Sequence, residues 1–451
     1  MSLIATDKSR VVIGLGKTGL ACARYLARQG LPFFVCDTRE NPPAADAFRM
    51  EFPNVPLYCG ALDAERLSRC NEIILSPGVA QADPAIQQTV ASGVRLSGDI
   101  DLFCAQARAP IVAITGSNAK STVTTLVGKM AEAAGVRVQV GGNLGTPVLD
   151  LLDEQAELYV LELSSFQLET TNDLRAAAAT VLNVSPDHLD RYDSMQAYYM
   201  AKHRVYRGCA VAVENRDDAL TRPLLPTGVK RVEFGLGKPD LKQFGVIDHQ
   251  GSSWLAKGLT PLIDSREMKI RGSHNQANAL AALALGEAVG LPMEAMLEAL
   301  RQFGGLEHRC QWIADRCERS WFNDSKGTNV GATLAALNGL GNTLEAGARI
   351  LLIAGGEGKG QRFDELNAPM SAYGRALILI GRDGPQIAAA VGSVEHHYAA
   401  DMKQAVELAA SYGQPGDVVL LSPACASFDM FTGYPARGQA FVDAVEGLRC
   451  D

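Results

Sequence analysis

Two glycine-rich turns, together with carboxylates, imidazoles and lysines at spaced positions, carry most of the chemistry legible in this chain of 451 residues. Ile114-Thr115-Gly116-Ser117-Asn118-Ala119-Lys120-Ser121-Thr122 follows a strand-like run and opens a helical one. Backbone N–H groups of such a loop can cradle phosphates, Lys120 can meet their charge, and a Ser or Thr hydroxyl can bind Mg²⁺. The loop departs from G-x-x-x-x-G-K-[ST]: three residues separate Gly116 from Lys120, and Ala119 stands where a glycine is expected. If that position takes a positive φ, alanine costs roughly 1–2 kcal/mol there. An ATP-type site is the reading this spacing favours. Downstream, Glu162 closes one strand-like run and Asp187-His188 follow another. Carboxylate and imidazole at strand ends can bind Mg²⁺ directly or through its waters. Taken singly, His188 reads more readily as a structural histidine and Lys202 as a solvated surface lysine, because a protonated amine cannot ligate a metal.

The earlier turn, Gly14-Leu15-Gly16-Lys17-Thr18-Gly19, is a G-x-G-x-x-G after a strand and at a helix start, with Asp37 closing the next strand. Such glycines let a backbone approach a phosphate, and the acid falls where a ribose-binding carboxylate would. A nicotinamide or flavin, another phosphate-bearing ligand, or a purely structural turn all remain open here. Asp37-Thr38-Arg39 and Ser76-Pro77-Gly78 both end strands, at the edge where parallel sheets bind ligands. Ser-Pro-Gly by itself reads as a turn.

These residues need a scaffold, and the chain supplies an alternation of short apolar runs and amphipathic stretches. Val11–Leu15, Phe33–Cys36 and Ile73–Leu75 read as buried strands, with a helix over Leu20–Arg28. Ile111–Ile114, Tyr159–Leu163, Val181–Val184 and Val211–Glu214 continue the series, and a helix runs from the phosphate loop to about Ala134. Residues 228–269 suggest a small antiparallel insertion. Helices follow over Asn275–Val289 and Met293–Phe303, then Gly304-Gly305 breaks the chain. Arg349–Ala354, Ala376–Ile380 and Val418–Leu421 are further strands, with a helix over Asp401–Tyr412. The expected fold is α/β in three consecutive domains: a Rossmann-like domain over 1–98, a P-loop-type ATPase domain over 99–305, and a second Rossmann-like α/β domain over 306–451.

Composition agrees with a globular enzyme, 47% hydrophobic and 20% charged. With 42 basic and 50 acidic residues the net charge is −8, so the chain lacks the positive field of nonspecific nucleic-acid or membrane binders. No apolar run reaches the ~18 residues of a membrane helix, and the N-terminus does not read as a signal peptide. The ten cysteines are scattered without C-x-x-C spacing, which reads as incidental thiols in a reducing cytosol. A cytoplasmic protein is expected.

Taken together, Gly116–Thr122, Asn143, the Glu162-Leu-Ser-Ser-Phe-Gln167 run, Asp187-His188, Lys202, Ser273-His274-Asn275-Gln-Ala-Asn278-Ala, His308-Arg309 and Asn323-Asp324-Ser325-Lys326-Gly327-Thr328-Asn329 resemble the Mur ligases, the ATP-dependent amino-acid-adding enzymes of peptidoglycan synthesis. The resemblance spans all three expected domains in order. Asp324–Asn329 and Ser422–Phe428 look most like its D-glutamate-adding branch, and the Asp-Asn-Pro-Arg signature of the diaminopimelate-adding relatives is absent. Ala119 replaces the family's usual glycine, and Gly327 stands where alanine is common.

The resemblance implies that the first domain holds UDP rather than NAD. Gly14, Leu15, Gly16, Lys17, Thr18, Asp37, Thr38, Arg39, Ser76, Pro77 and Gly78 would serve there, joined by Asn143, Ser164 and Arg191. It implies ATP at Gly116–Thr122, Asn278, Arg309 and Asp324, and D-glutamate at Lys326, Thr328, Lys359, Ser427, Phe428 and Tyr434. Two Mg²⁺ ions would be held by Ser121, Glu162, His188 and Lys202, the last as a CO₂-derived carbamate. Lys120, Glu162, His188 and Lys202 would be the catalytic set. The reaction implied joins D-glutamate to UDP-N-acetylmuramoyl-L-alanine through an acyl phosphate and a tetrahedral intermediate, releasing ADP and phosphate. A cytoplasmic monomer is expected, with no nucleic-acid or membrane partner. Three rivals are weighed against it. A nicotinamide-dependent dehydrogenase leaves the phosphate loop idle, a folylpolyglutamate-type ligase lacks the UDP-type domain, and a binding module would hold ATP without turnover.

Overall fold

Strands β1 (Arg10–Ile13), β2 (Phe33–Asp37), β3 (Leu57–Cys59), β4 (Glu72–Leu75) and β5 (Arg95–Ser97) form an all-parallel sheet of order β3-β2-β1-β4-β5. A computed structural model of the chain describes residues 9–188, 191–223, 225–358, 360–392 and 394–450. Val11, Val12 and Ile13 are buried, the continuous apolar run of a strand covered on both faces. The chain runs outward from β1 through β2 to β3, then restarts on the other side at β4. The switch point therefore lies between the carboxyl ends of β1 and β4, where Gly14 and Ser76 follow the two strands. β3 and β5 are three residues each, too short to carry a periodic signal.

The chain divides into two compact units. The first takes the residues up to Val184, Arg191–Glu233 and Ala281–Met296; the second takes Ser185–Asp190, Phe234–Leu280 and Leu297 onward. Besides the sheet above, the first unit holds β6 (Ile111–Thr115), β7 (Val138–Gly142), β8 (Leu158–Glu162), β9 (Ala178–Val181), β10 (Val211–Asn215) and β11 (Lys230–Phe234), in the order β11-β10-β9-β6-β8-β7. Central β6 pairs in parallel with β8 and β9, and its register sets Ile114 opposite Glu162. The phosphate loop and the carboxylate thus leave adjacent strands side by side. β9 starts at Ala178, three residues ahead of the expected Val181, because buried Ala178 and Ala179 extend it with side chains too small to read as an apolar run. The bridging segment after Ser97 is a helix, Asp99–Gln106.

In the second unit, β12 (Phe244–His249), β13 (Ser252–Lys257) and β14 (Thr260–Asp264) form the antiparallel insertion anticipated for 228–269. β15 (Gln311–Arg316), β16 (Arg319–Asn323), β17 (Ile350–Gly355), β18 (Gly374–Ile380), β19 (Glu395–Tyr398) and β20 (Val418–Leu421) form a sheet of order β15-β16-β20-β17-β18-β19. It is parallel except for the β15–β16 hairpin. The hairpin turns through Cys317 and Glu318, at φ +52° and +59°, without the Asn-Gly or Asp-Gly pair that announces such a turn. The cysteine reading needs one correction: Cys317 and Cys450 form a disulfide, with Cα atoms 5.1 Å apart. Arg316 reinforces the junction, its Nε donating to the Leu448 carbonyl at 3.1 Å. Among the described residues no helix is long and apolar enough to cross a membrane.

Candidate active site

The switch point of the first sheet opens into a cavity of about 530 Å³. Gly14, Gly16, Lys17, Thr18, Thr38, Arg39, Ser76, Pro77, Gly78 and Asn143 line it, all from the residues singled out in sequence, together with Gly19, Val79, Gly142, Gly145, Pro147 and Gln167. The glycines answer to close packing. Gly14 is at φ +95°, and a Cβ there would meet Val79 Cγ2 at 2.8 Å, while one on Gly19 would sit 1.9 Å from the Gly14 carbonyl oxygen. The Ser76 hydroxyl donates to that same oxygen at 2.7 Å, joining the two loops. The helix Lys17–Arg28 begins at Gly16 with no side-chain cap, so first-turn N–H groups and the positive end of its dipole stand where an anion would bind.

Four of the sequence-derived candidates brace the cavity instead of lining it. Leu15 is buried, and its N–H donates to Asp37 Oδ2 at 2.6 Å. Asp37 also accepts from the Arg39 N–H at 2.9 Å and from its guanidinium at 2.8 and 2.7 Å. Burial pushes that carboxyl up, but Arg39 and the two backbone N–H groups outweigh it and hold the pKa below the ordinary carboxylate value. Asp37 is therefore committed to shaping the glycine turn and presenting Arg39. Ser164 caps the helix Ser165–Thr170 in a reciprocal capping box with Gln167. Arg191 donates to the carbonyls of Pro77 at 3.0 Å and Val79 at 3.2 Å, pairs with Glu169 at 2.9 Å and lies 4.2 Å over the Phe166 ring.

The phosphate loop leaves β6 and enters the helix Lys120–Ala133 through Ala119, at φ +64° and ψ 0°. The position that would suit glycine is thus left-handed here, and alanine occupies it. Lys120 Nζ donates to the carbonyls of Gly116 at 2.8 Å and Ser117 at 3.0 Å. The Asn118 N–H donates to Asn183 Oδ1 at 2.8 Å, and Ser117 Oγ lies 3.1 Å from the Tyr198 hydroxyl. Lys202 is 2% exposed, its Nζ donating to the Gly116 carbonyl at 2.9 Å and lying 4.4 Å from the Tyr198 ring. This is not the solvated lysine that its sequence position alone suggests.

Buried Glu162 joins loop and cavity. Its Oε2 accepts from Ser121 Oγ at 2.5 Å and its Oε1 from Asn143 Nδ2 at 2.7 Å. A hydroxyl and a carboxylate meeting beside a phosphate loop are the hard oxygen donors that Mg²⁺ takes, with phosphate oxygens completing its shell. Among the described residues no three of His, Cys, Asp and Glu gather as a metal cluster. Thr122 is buried in the first turn of the helix.

The second unit carries the remaining candidates. His188 is at φ +54°, with Nε2 3.7 Å from Asp187 Oδ2. Asn278 is buried and donates to Asn275 Oδ1 at 3.1 Å. Asp324 follows β16; it accepts from Ser422 Oγ at 2.7 Å and from the Cys310 N–H at 3.1 Å. Burial pushes its carboxyl up to about 7 against those bonds and the nearby Arg309. A Cβ on Gly327 would meet Asp324 Oδ2 at 2.5 Å, so here glycine fits where the family commonly has alanine. Lys326 Nζ lies 4.1 Å over the Tyr434 ring, and the Thr328 N–H donates to the Lys326 carbonyl at 2.8 Å. Ser427 is buried and Phe428 is 68% exposed on the loop after β20. Lys359 lies outside the described residues.

Two participants were given no role in the sequence reading. Gln167 was signalled by the Ser-x-x-Gln capping box. Arg437 was not, because an arginine in a helix reads as solvated; here it is buried and donates to Ser325 Oγ at 3.0 Å, the Ser325 carbonyl at 2.8 Å and the Cys425 carbonyl at 3.1 Å. It ties the segment carrying Asp324 and Lys326 to the segment carrying Ser427.

Comparison with known proteins follows the same order along the chain. Residues 8–98 match the Mur ligase MurD-like N-terminal domain, 114–286 the Mur ligase middle domain, and 308–425 the Mur ligase glutamate ligase domain. Over 449 residues the chain is 58% identical to the UDP-N-acetylmuramoylalanine--D-glutamate ligase of Pseudomonas fluorescens, covering 99% of this chain and 100% of that one. Proteins of the same name from Pseudomonas aeruginosa and Marinobacter nauticus are 57% and 52% identical, with the same coverage. Among solved structures, MurF from Acinetobacter baumannii aligns with a TM-score of 0.60 at 15% identity, over 98% of this chain and 92% of its own. UDP-N-acetylmuramate-alanine ligase from Thermotoga maritima gives 0.59 at 18%, over 97% and 99%. These two share the fold.

Proposed function

The chain belongs to the Mur ligase family, and on that premise we propose that the cavity between Gly14 and Ser76 receives the UDP-linked substrate while the Gly116–Thr122 loop receives ATP. The chain is an ATP-dependent ligase of peptidoglycan synthesis, adding D-glutamate to UDP-N-acetylmuramoyl-L-alanine. One observation carries the site reading: Asn143 lines the cavity, Ser121 belongs to the phosphate loop, and Glu162 bonds both. That bridge suits a reaction in which the carboxylate of a substrate lying along the cavity, as phosphoryl acceptor, must reach the terminal phosphate of ATP.

The substrate's carboxylate oxygen attacks the γ-phosphorus and ADP leaves, giving an acyl phosphate. The D-glutamate amine then adds to the acyl carbon, and the tetrahedral intermediate expels phosphate. Catalysis is positioning and neutralisation of charge. Lys120 meets the transferred phosphoryl, Arg39 and the helix start at Lys17 meet the diphosphate, and Asp37 holds Arg39. Ser164 and Arg191 support the cavity wall, and Leu15 supports the turn. Ser121 and Glu162 would hold one Mg²⁺, which would supply positive charge to the phosphates. A second ion is assigned to His188 and Lys202, the latter as a carbamate: CO₂ adds to the neutral amine, a proton leaves, and an anionic oxygen ligand results. Burial of Lys202 at the loop supports a role beyond solvation. Asn278, Arg309 and Asp324 are assigned to adenine, phosphate and ribose, and Lys326, Thr328, Lys359, Ser427, Phe428 and Tyr434 to D-glutamate, whose carboxylates need cationic or N–H donors. Domain edges at 98/99 and 305/306, a cytoplasmic location, a monomeric state, and the absence of nucleic-acid or membrane partners complete the reading.

Phosphate release from ATP with UDP-N-acetylmuramoyl-L-alanine tests it, with D-glutamate present, omitted, or replaced by L-glutamate, D-alanine or diaminopimelate. Release is expected only with both substrates and with preference for D-glutamate. Release with another amino acid reassigns the acceptor, and ATP binding without release under any pairing rejects the ligase.

A further inference from the structure

Gln167 is buried, yet it is among the residues that line the cavity. Its Oε1 accepts from the Ser164 N–H at 3.1 Å, and its Nε2 donates to Asp99 Oδ2, also at 3.1 Å. Asp99 opens the helix Asp99–Gln106, is 2% exposed, and leaves Oδ1 without a hydrogen-bond partner. The approach of this helix to Ser165–Thr170 is built in. A Cβ on Gly98 would fall 2.3 Å from Thr170 Oγ1, and Asp101 accepts from the Asn172 N–H at 2.8 Å and from its Nδ2 at 2.7 Å.

Burying a carboxylate on so few bonds is costly. Burial pushes Asp99 up to about 6, with the Gln167 amide the strongest opposing contact, so the group is ionised at neutral pH and above. An ionised carboxylate only accepts. It therefore selects one orientation of the Gln167 amide, because the flipped one would set two oxygens against each other. One Nε2 hydrogen goes to Asp99, and the amide keeps a second N–H to donate elsewhere.

We propose that Asp99 is a positioning residue of this ligase, fixing the Gln167 amide so that its second N–H is offered to an oxygen acceptor of the UDP-linked substrate. This rests on the assignment of the cavity to that substrate. Steady-state kinetics with each of the three substrates varied tests it on Gln167→Ala, Asp99→Ala, the double variant and Asp99→Asn. Gln167→Ala and Asp99→Ala are each expected to raise KM for the UDP-linked substrate about tenfold, with KM for ATP within about twofold. The double variant should be no worse than Gln167→Ala, and Asp99→Asn, which keeps an acceptor, should stay within about threefold. Asp99→Val, similar in shape and free of the burial penalty, takes the place of Asp99→Ala if the latter does not fold. An Asp99→Ala effect that multiplies with that of Gln167→Ala, an Asp99→Asn as impaired as Asp99→Ala, or an unchanged KM in Asp99→Ala overturns the role. An unchanged KM in Gln167→Ala instead overturns the cavity assignment, so the two failures are distinguishable.

Discussion

Replacing Ala119 by glycine should stabilise the first unit. Ala119 sits at φ +64° and ψ 0°, where an L-residue with a Cβ pays roughly 1–2 kcal/mol against the following carbonyl. Glycine removes that penalty but gives the unfolded chain more freedom, a loss of about 0.4–1 kcal/mol. Taking midpoints, about 1.5 less about 0.7 leaves a gain near 0.8 kcal/mol. For a cooperative unit of this size that is an upward shift of about 2–3 °C in the melting midpoint. The assay is thermal and urea unfolding without nucleotide, alongside Ala119→Val, whose branched side chain belongs in this region even less and should cost more than about 1 kcal/mol. A lower midpoint for Ala119→Gly than for the parent, or a harmless Ala119→Val, would refute the left-handed conformation. The ATP dissociation constant of Ala119→Gly should stay within about threefold, since glycine is the residue such loops normally carry.

Lys120→Ala should reduce turnover about a hundredfold or more with melting unchanged, because it removes charge facing the transferred phosphoryl; unchanged turnover sinks the loop assignment. Activity lost in Lys202→Ala should return in part with added short carboxylates able to stand in for the proposed carbamate, measured as turnover against formate or acetate concentration; the absence of any rescue counts against that modification. Asp324 has its carboxyl raised from 3.8 to about 7 by burial, so ionising it in the folded state costs stability. The cost is absent below about pH 4, grows through the interval, and is complete above about pH 7. Stability of the parent minus that of Asp324→Asn should therefore fall as pH rises between those values, by up to about 1.4 kcal/mol per unit; a flat or rising difference contradicts the burial account.

Motifs on buried parallel strands were the most legible part of the sequence. β1, β4, β6 and β8 are runs of Val, Ile and Leu, and the turns after them carry glycines and polar residues whose spacing speaks for itself. What stayed hidden followed from small size or from tertiary context. Ala178-Ala179 read as neither strand nor helix until pairing buried them. The Cys317-Glu318 turn lacks the residues that announce a hairpin. Asp37 looked free to meet a ribose because nothing local reveals Leu15 and Arg39 converging on it. Lys202 and Arg437 carry long charged side chains that sequence assigns to solvent by default, and only a fold that delivers carbonyls to meet them explains their burial.

The Cys317–Cys450 bond has a topological consequence. With its ends 133 positions apart in sequence, it turns most of the third domain into a covalent ring, held at the hairpin turn that leads through β16 to Asp324. A single backbone cut between those cysteines opens the ring without releasing a fragment: the pieces travel as one molecule until a thiol is added. The segment after the helix Tyr434–Glu446 becomes part of a closed circuit, tethered through Cys450 to the hairpin at Cys317.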